Sequence, residues 1–245
     1  MILPLLTATV FAHKPSFGDG FTSPDTAFEI IDPDISIVVY QSLTCDNPEL
    51  WMSFDVEPGY ELYVQLGVPV IERLEAYYPS VAVVAKGLPA DVDVPFQLPE
   101  GMGAIVFEAT PESAEFYEPF TQTESWIWRE EWVEIPEGGE GYVVGWHPES
   151  LTGKIWLATG EVEDFSDVNP ADFAYWNEAV NNFHETGAFE RPPETEVQSC
   201  QDSDTEENNP KTGCATVVAP LPPLLLFLPL ALIWRRSRSD TSFSS

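Results

Sequence analysis

The sequence predicts an all-β protein: a β-sandwich, jelly-roll-like, of about nine strands. One C-terminal helix, a disordered stalk and a single transmembrane helix follow it. Three observations carry this reading. Residues 28–160 alternate short β-rich runs with Pro, Gly, Asp and Asn punctuation. Residues 167–187 hold apolar side chains at helical spacing. Residues 215–234 form an apolar run without a single charge.

The strands are expected at 28–32, 35–42, 49–56, 60–67, 80–86, 103–109, 125–135, 141–147 and 153–160. This is sandwich-like spacing, and the stretch is long enough for one core. In 49–56, Leu50, Met52, Phe54 and Val56 share one face, with Trp51, Ser53 and Asp55 on the other. In 60–67, Leu62, Val64 and Leu66 oppose Glu61, Tyr63 and Gln65. Glu57-Pro58-Gly59 between these runs reads as a turn, because Pro presets one dihedral and Gly tolerates positive φ. A hairpin is therefore expected here. A second is expected where 148–152 joins the runs 141–147 and 153–160.

The helix is expected over 167–187, with Asp167 and Asn169 as capping candidates, Pro170 in its first turn and Gly187 at its end. Phe173, Trp176, Val180 and Phe183 lie on one face, so the helix (segment 167–190) is expected to pack on the sandwich domain (13–166). Residues 191–213 are acidic, bear prolines and contain almost no large apolar residue, which reads as a disordered stalk.

Both ends carry trafficking patterns. Residues 1–12 are apolar and end in small residues, as in a secretory signal peptide cut after Ala12. At the other end, 214–234 reads as a membrane-spanning or sorting segment. Its uncharged run is bilayer-length, Trp234 sits at the interface, and Arg235, Arg236 and Arg238 stop transfer. Prolines 220, 222, 223 and 229 suit a membrane span better than a soluble helix. The positive-inside rule leaves 235–245 as a cytoplasmic tail and the acidic domain extracellular or periplasmic, in a single-pass protein of the cell envelope. A glycolipid-anchor signal would end in its hydrophobic tail, whereas a polar segment follows here.

The chain carries 41 acidic against 10 basic side chains, a net charge of −31. Such a surface repels phosphate backbones, which excludes nucleic acid as a partner. Three cysteines are too few for a disulfide scaffold, and no CxxC pair points to zinc. Cys45 can pair with Cys200 in an oxidising compartment, leaving Cys214 for another fate.

Two segments resemble known families. Gly213 and Cys214, the apolar run and the arginine cluster resemble the C-terminal sorting tails of myxobacteria and related bacteria. That resemblance implies Cys214 as the point of processing or lipid attachment, with the protein on the cell surface. LWMSFDVEPGYELYVQL and GEGYVVGWHPESLTGKIWLATG resemble segments of bacterial pre-peptidase C-terminal domains. This implies a non-catalytic β-domain of a secreted protein, in some cases with calcium. Where that family has an aspartate-rich turn, this chain has VPVIERLEAYYPS.

Catalytic signatures are absent from the sequence: no G-x-S-x-G elbow, P-loop, dinucleotide fingerprint, H-E-x-x-H or EF-hand loop occurs. The acids at 32–34 and 91–93 could ligate calcium but read first as turn formers. A cut after Ala12 would make His13 the first residue. An N-terminal histidine can chelate copper, and His147 would be its partner, in a copper carrier or oxidative enzyme. Trp126, Trp128 and Trp132 share one strand parity; this row either faces solvent as a binding surface for a carbohydrate or protein, or belongs to a strand buried on both faces or covered by the helix. The function expected from sequence is a membrane-tethered, surface-displayed β-sandwich with a non-catalytic binding or structural role and no required cofactor. The mature protein is expected to begin at His13; an intact-mass measurement showing any other first residue removes the cut and the copper reading together.

Overall fold

The computed structural model describes residues 13–110, 114–186 and 196–200. The signal segment (1–12), most of the stalk, Cys214, the apolar run and the basic tail lie outside the described residues. Among the described residues, no helix is long and apolar enough to cross a membrane.

The described residues form eleven strands: β1 (Lys14–Phe17), β2 (Phe28–Glu29), β3 (Ile37–Leu43), β4 (Glu49–Val56), β5 (Tyr60–Pro69), β6 (Ser80–Ala85), β7 (Gly103–Glu108), β8 (Ala114–Glu118), β9 (Thr123–Ile135), β10 (Gly139–Trp146) and β11 (Gly153–Thr159). One sheet has the order β1-β3-β11-β5-β9-β8 and the other β2-β4-β10-β6-β7. The expected nine strands become eleven because β1 and β8 were not anticipated. Both are short edge strands of the six-stranded sheet, and neither Pro15 nor the charged run AEFYE gives a strand-like apolar pattern. The strand expected at 28–32 shrinks to two residues.

Both expected hairpins are wrong. β4 and β10 belong to the five-stranded sheet, whereas β5 and β11 belong to the six-stranded one. The turn at 57–59 does form: Tyr60 N–H donates to Glu57 O (3.2 Å), and Gly59 has φ +82°. It carries the chain across the sandwich rather than back along one sheet. The inward rows then face each other, Leu50, Met52, Phe54 and Val56 against Leu62, Val64 and Leu66, all in one buried cluster. Strand alternation fixes which side chains face inward, but a hairpin and a cross-sheet arch share that alternation.

Three apolar layers result. The main core lies between the sheets. On the far side of the five-stranded sheet, Trp51, Tyr142, Val144 and Trp146 form a second cluster, covered by Val92, Val94, Phe96 and Leu98 of the segment before β7. On the far side of the six-stranded sheet, Val38, Ile127, Trp156 and Ala158 form a third, covered partly by Phe183. Central strands are therefore apolar on both faces; β6, SVAVVA, is buried throughout.

The helix α1 (Asp172–His184) is shorter than expected. Pro170 precedes it, and Asn169 Oδ1 accepts from Ala171 N–H (3.0 Å). Asp167 instead pairs with Lys14 (2.6 Å). The helix ends at Glu185, in the left-handed region with φ +60°, before Gly187 is reached. Of the expected stalk (191–213), residues 196–200 are described. They are fastened to the loop before β11: Thr152 N–H donates to Gln198 O (2.9 Å) and Cys200 N–H to Ser150 O (3.0 Å). A disulfide joins Cys45 to Cys200 across a sequence separation of 155. Closing so long a loop removes unfolded-state entropy worth about 4–5 kcal/mol in the chain-entropy account. The paired Cys45→Ser and Cys200→Ser change is expected to cost a stability of that order. A denaturant midpoint unchanged between it and the parent chain would contradict this.

Candidate functional site: a pocket beneath the helix

Packing α1 on the six-stranded sheet leaves a cavity of about 150 Å3. Its floor is Val38, Tyr40 and Trp156 on the outer face of β3 and β11. Trp156 is set by two neighbours. Gly67, its partner on β5, lies so close to the indole that a Cβ would collide with the ring. On the other side the indole Nε1–H donates to Ser125 Oγ (3.0 Å). The roof is one face of α1, Phe173, Trp176, Val180 and His184, spaced by three, four and four residues. Phe120 and Phe165 close the sides. Phe173 links the rings, with centroids 5.8 Å from Phe120, 6.0 Å from Phe165 and 5.4 Å from Trp176. Phe120 is 45% exposed, so the pocket meets solvent at that rim.

The helix is fixed by polar groups rather than by apolar contact alone. Asn177 Nδ2 donates to Phe120 O (3.1 Å) and Asn181 Nδ2 to Thr121 O (3.0 Å). His184 Nδ1 lies 3.1 Å from Glu124 O; a carbonyl only accepts, so the ring carries its proton on Nδ1. The C-terminal end is held by charge. Glu185 accepts from both terminal nitrogens of the Arg73 guanidinium (2.8 and 2.6 Å) and from Lys154 Nζ (2.8 Å). Lys154 Nζ also donates to Phe183 O (3.0 Å), a last-turn carbonyl at the negative end of the helix dipole. The Lys154 and Glu185 side chains are only 7% and 11% exposed, so these charges depend on one another.

The polar wall consists of His13, Glu118, Thr121, Thr123 and Ser125. Glu118 Oε1 accepts Phe120 N–H (2.9 Å). Burial pushes its pKa up, with nearby Glu163 acting in the same direction against that hydrogen bond. His13 Nδ1 meets Ser36 Oγ. Burial lowers the pKa of His13 and His184 to about 4, so both are neutral at pH 7. Among the described residues no lysine or arginine lines the pocket.

The residues singled out from the sequence are placed differently. His13 and His147 do not come together. His13 adjoins the β3–β11 end marked by Ile37 and Thr159, while His147 precedes the loop entering β11 at Gly153. The length of β11, about 20 Å at strand rise, lies between those ends. His147 packs on Tyr77 (centroids 4.4 Å apart), and its Nδ1 accepts from Glu149 N–H (3.1 Å). The histidine that shares a cavity with His13 is His184. Among the described residues, no group of three or more His, Cys, Asp or Glu is placed to hold a metal. Asp32 and Asp34 of the first calcium candidate form a turn, Asp34 N–H donating to Asp32 Oδ1 (3.1 Å).

The tryptophan row is broken. Register shifts between Leu66 and Gly67, leaving Trp128 as the extra residue of a bulge in β9. Parity reverses there, so Trp128 joins the main core and Trp126 packs against it. Trp132 alone is exposed, at 53%, beside Tyr63 and with Nε1–H donating to Glu161 (3.3 Å). Sequence reasoning missed Glu118, Trp156 and His184. His184 was findable, since it continues the 173–176–180 face by one further step of four. Glu118 was not, because 40 other acidic residues surround it in the chain. No protein-family model matches the chain, and no curated protein matches it.

Two outcomes follow. Lys154→Met leaves a buried carboxylate short of a partner and is expected to destabilise by about 3 kcal/mol, measured by denaturant unfolding. Burial also lowers the His147 pKa to about 4. An unfolded imidazole titrates near 6.5. Between these values the unfolded chain binds protons that the folded chain refuses, so stability falls as pH drops from about 6.5 towards 4. The raised Glu118 and Glu49 carboxyls oppose this at the acid end of that window. His184→Asn is expected to flatten the decline in melting temperature between pH 7 and 5; an unchanged slope would show that His184 does not contribute.

Proposed function

We propose that the protein is a non-catalytic binding module displayed at the cell envelope, which captures a small ligand in the pocket beneath α1. The observation that carries this reading is a cavity of about 150 Å3 walled by aromatic rings yet provided with a few polar groups on one side. Small-molecule sites combine an apolar lining with sparse polar groups that orient the ligand. A cavity of this volume holds a molecule of about benzene size.

The wider architecture belongs to the same proposal. The strand order β3-β11-β5-β9 against β4-β10-β6-β7 is consistent with a jelly roll, with β1, β2 and β8 added at edges. The Cys45–Cys200 disulfide supports an oxidising compartment, hence export through residues 1–12. Residues 214–234 would tether the chain to the membrane, with Cys214 as the point of processing or lipid attachment. The acidic domain would then face outward on the stalk that remains after Cys200.

A fragment screen by NMR tests the binding role. Ligands are expected to perturb the indole signals of Trp156 and Trp176 and to leave Trp132 unchanged. Perturbation confined to Trp132 would move the site to the exposed surface, and no perturbation at any indole would remove the binding reading.

A further inference from the structure

The pocket combines three features that together select charge as well as size. Its rings lie in a connected cluster: Phe173 adjoins Phe120, Phe165 and Trp176, and Phe165 also lies 6.5 Å from Trp176. Tyr40 and Trp156 face them from the sheet. A carboxylate, Glu118, stands on the wall, with Glu163 near enough to raise its pKa. Among the described residues no cationic side chain lines the cavity to neutralise Glu118, and Lys14, next to the lining residue Pro15 on β1, is committed to Asp167. Aromatic faces carry negative potential, and a cation among several of them is held by each ring. Burial strengthens this attraction and that of the carboxylate.

Resting on the pocket as the binding site, we propose that its ligand is a free methylated ammonium compound, a small organic cation held by the aromatic cage and Glu118. Two points favour a methylated over a primary ammonium. Methyl groups spread the charge over an apolar surface that matches the ring walls, and they replace N–H donors that would need acceptors on the aromatic sides as well as on the single polar wall. The net charge of −31 raises the local concentration of any small cation, whereas the same cation attached to a phosphate diester is net neutral and gains nothing from it, which favours a free amine over a lipid headgroup.

The test uses the full-length chain in phosphatidylglycerol nanodiscs, which contain no quaternary ammonium. Indole fluorescence follows titration with choline, with its uncharged isostere 3,3-dimethylbutan-1-ol, and with glycerophosphocholine. Choline is expected to bind at least about tenfold more tightly than the isostere. Glu118→Gln and Trp176→Leu are each expected to remove most of that preference, read as the ratio of choline to isostere affinity in the same variant. Glycerophosphocholine is expected to bind more weakly than choline. Equal binding of choline and the isostere would overturn the cation assignment and leave the pocket as a neutral binding site. Binding of none of the three would overturn the cation assignment, and the fragment screen separately decides whether the pocket binds anything. Glycerophosphocholine binding as tightly as choline would overturn the free-amine assignment in favour of a headgroup.

Discussion

The six-stranded sheet is apolar on both faces, and the need to cover its outer face governs the rest of the molecule. The inner face is buried by the opposing sheet, whereas Val38, Ile127, Trp156 and Ala158 point away from it. Left in water, such a surface would favour association with other chains. The helix α1 supplies the cover, but its own apolar stripe is modest; Val180 and His184 are its only buried residues among those described. Charge completes what apolar contact begins. Glu185 adopts a left-handed backbone, costing roughly 1 kcal/mol, and thereby meets Arg73 and Lys154 at once. The three groups hold the end of the helix against the sheet.

The pocket is the remainder of that packing. Large rings on the helix meet large rings on the sheet, and planar groups of this size cannot interdigitate as closely as branched aliphatic ones. Polar anchors at Asn177, Asn181 and His184 fix the distance between helix and sheet. The helix cannot settle further to close the gap without breaking those bonds. The cavity is thus maintained by the same hydrogen bonds that attach its roof, and Gly67 keeps Trp156 flat on its floor.

Much of this was legible in the sequence at the level of single strands and not at the level of their connections. The inward row of β4 and that of β5 were assigned correctly from alternation, yet their pairing was not. Alternation is a property of one strand, whereas the choice between hairpin and arch is decided by β10, β11 and β9, far along the chain. The tryptophans show the same limit in another form. Period-two reasoning holds until one residue is inserted, and nothing in SWIWREEW announces that Trp128 is that residue. The helix face was readable because its periodicity is local. Glu118 was not, since what distinguishes it is the company of rings brought from four separate segments.

The disulfide has a mechanical consequence. If the chain is tethered beyond Cys200, tension from the membrane enters the domain at Cys200 and passes through sulfur to Cys45. From there it runs into β3, held between β1 and β11 within the sheet. The helix and most of the strands belong to the covalent loop between these cysteines, which the load bypasses. A pull on the stalk therefore shears β3 against its neighbours and leaves α1 unloaded. The pocket's floor residues Val38 and Tyr40 lie on that loaded strand and its roof does not, so such tension would act on the pocket from the sheet side.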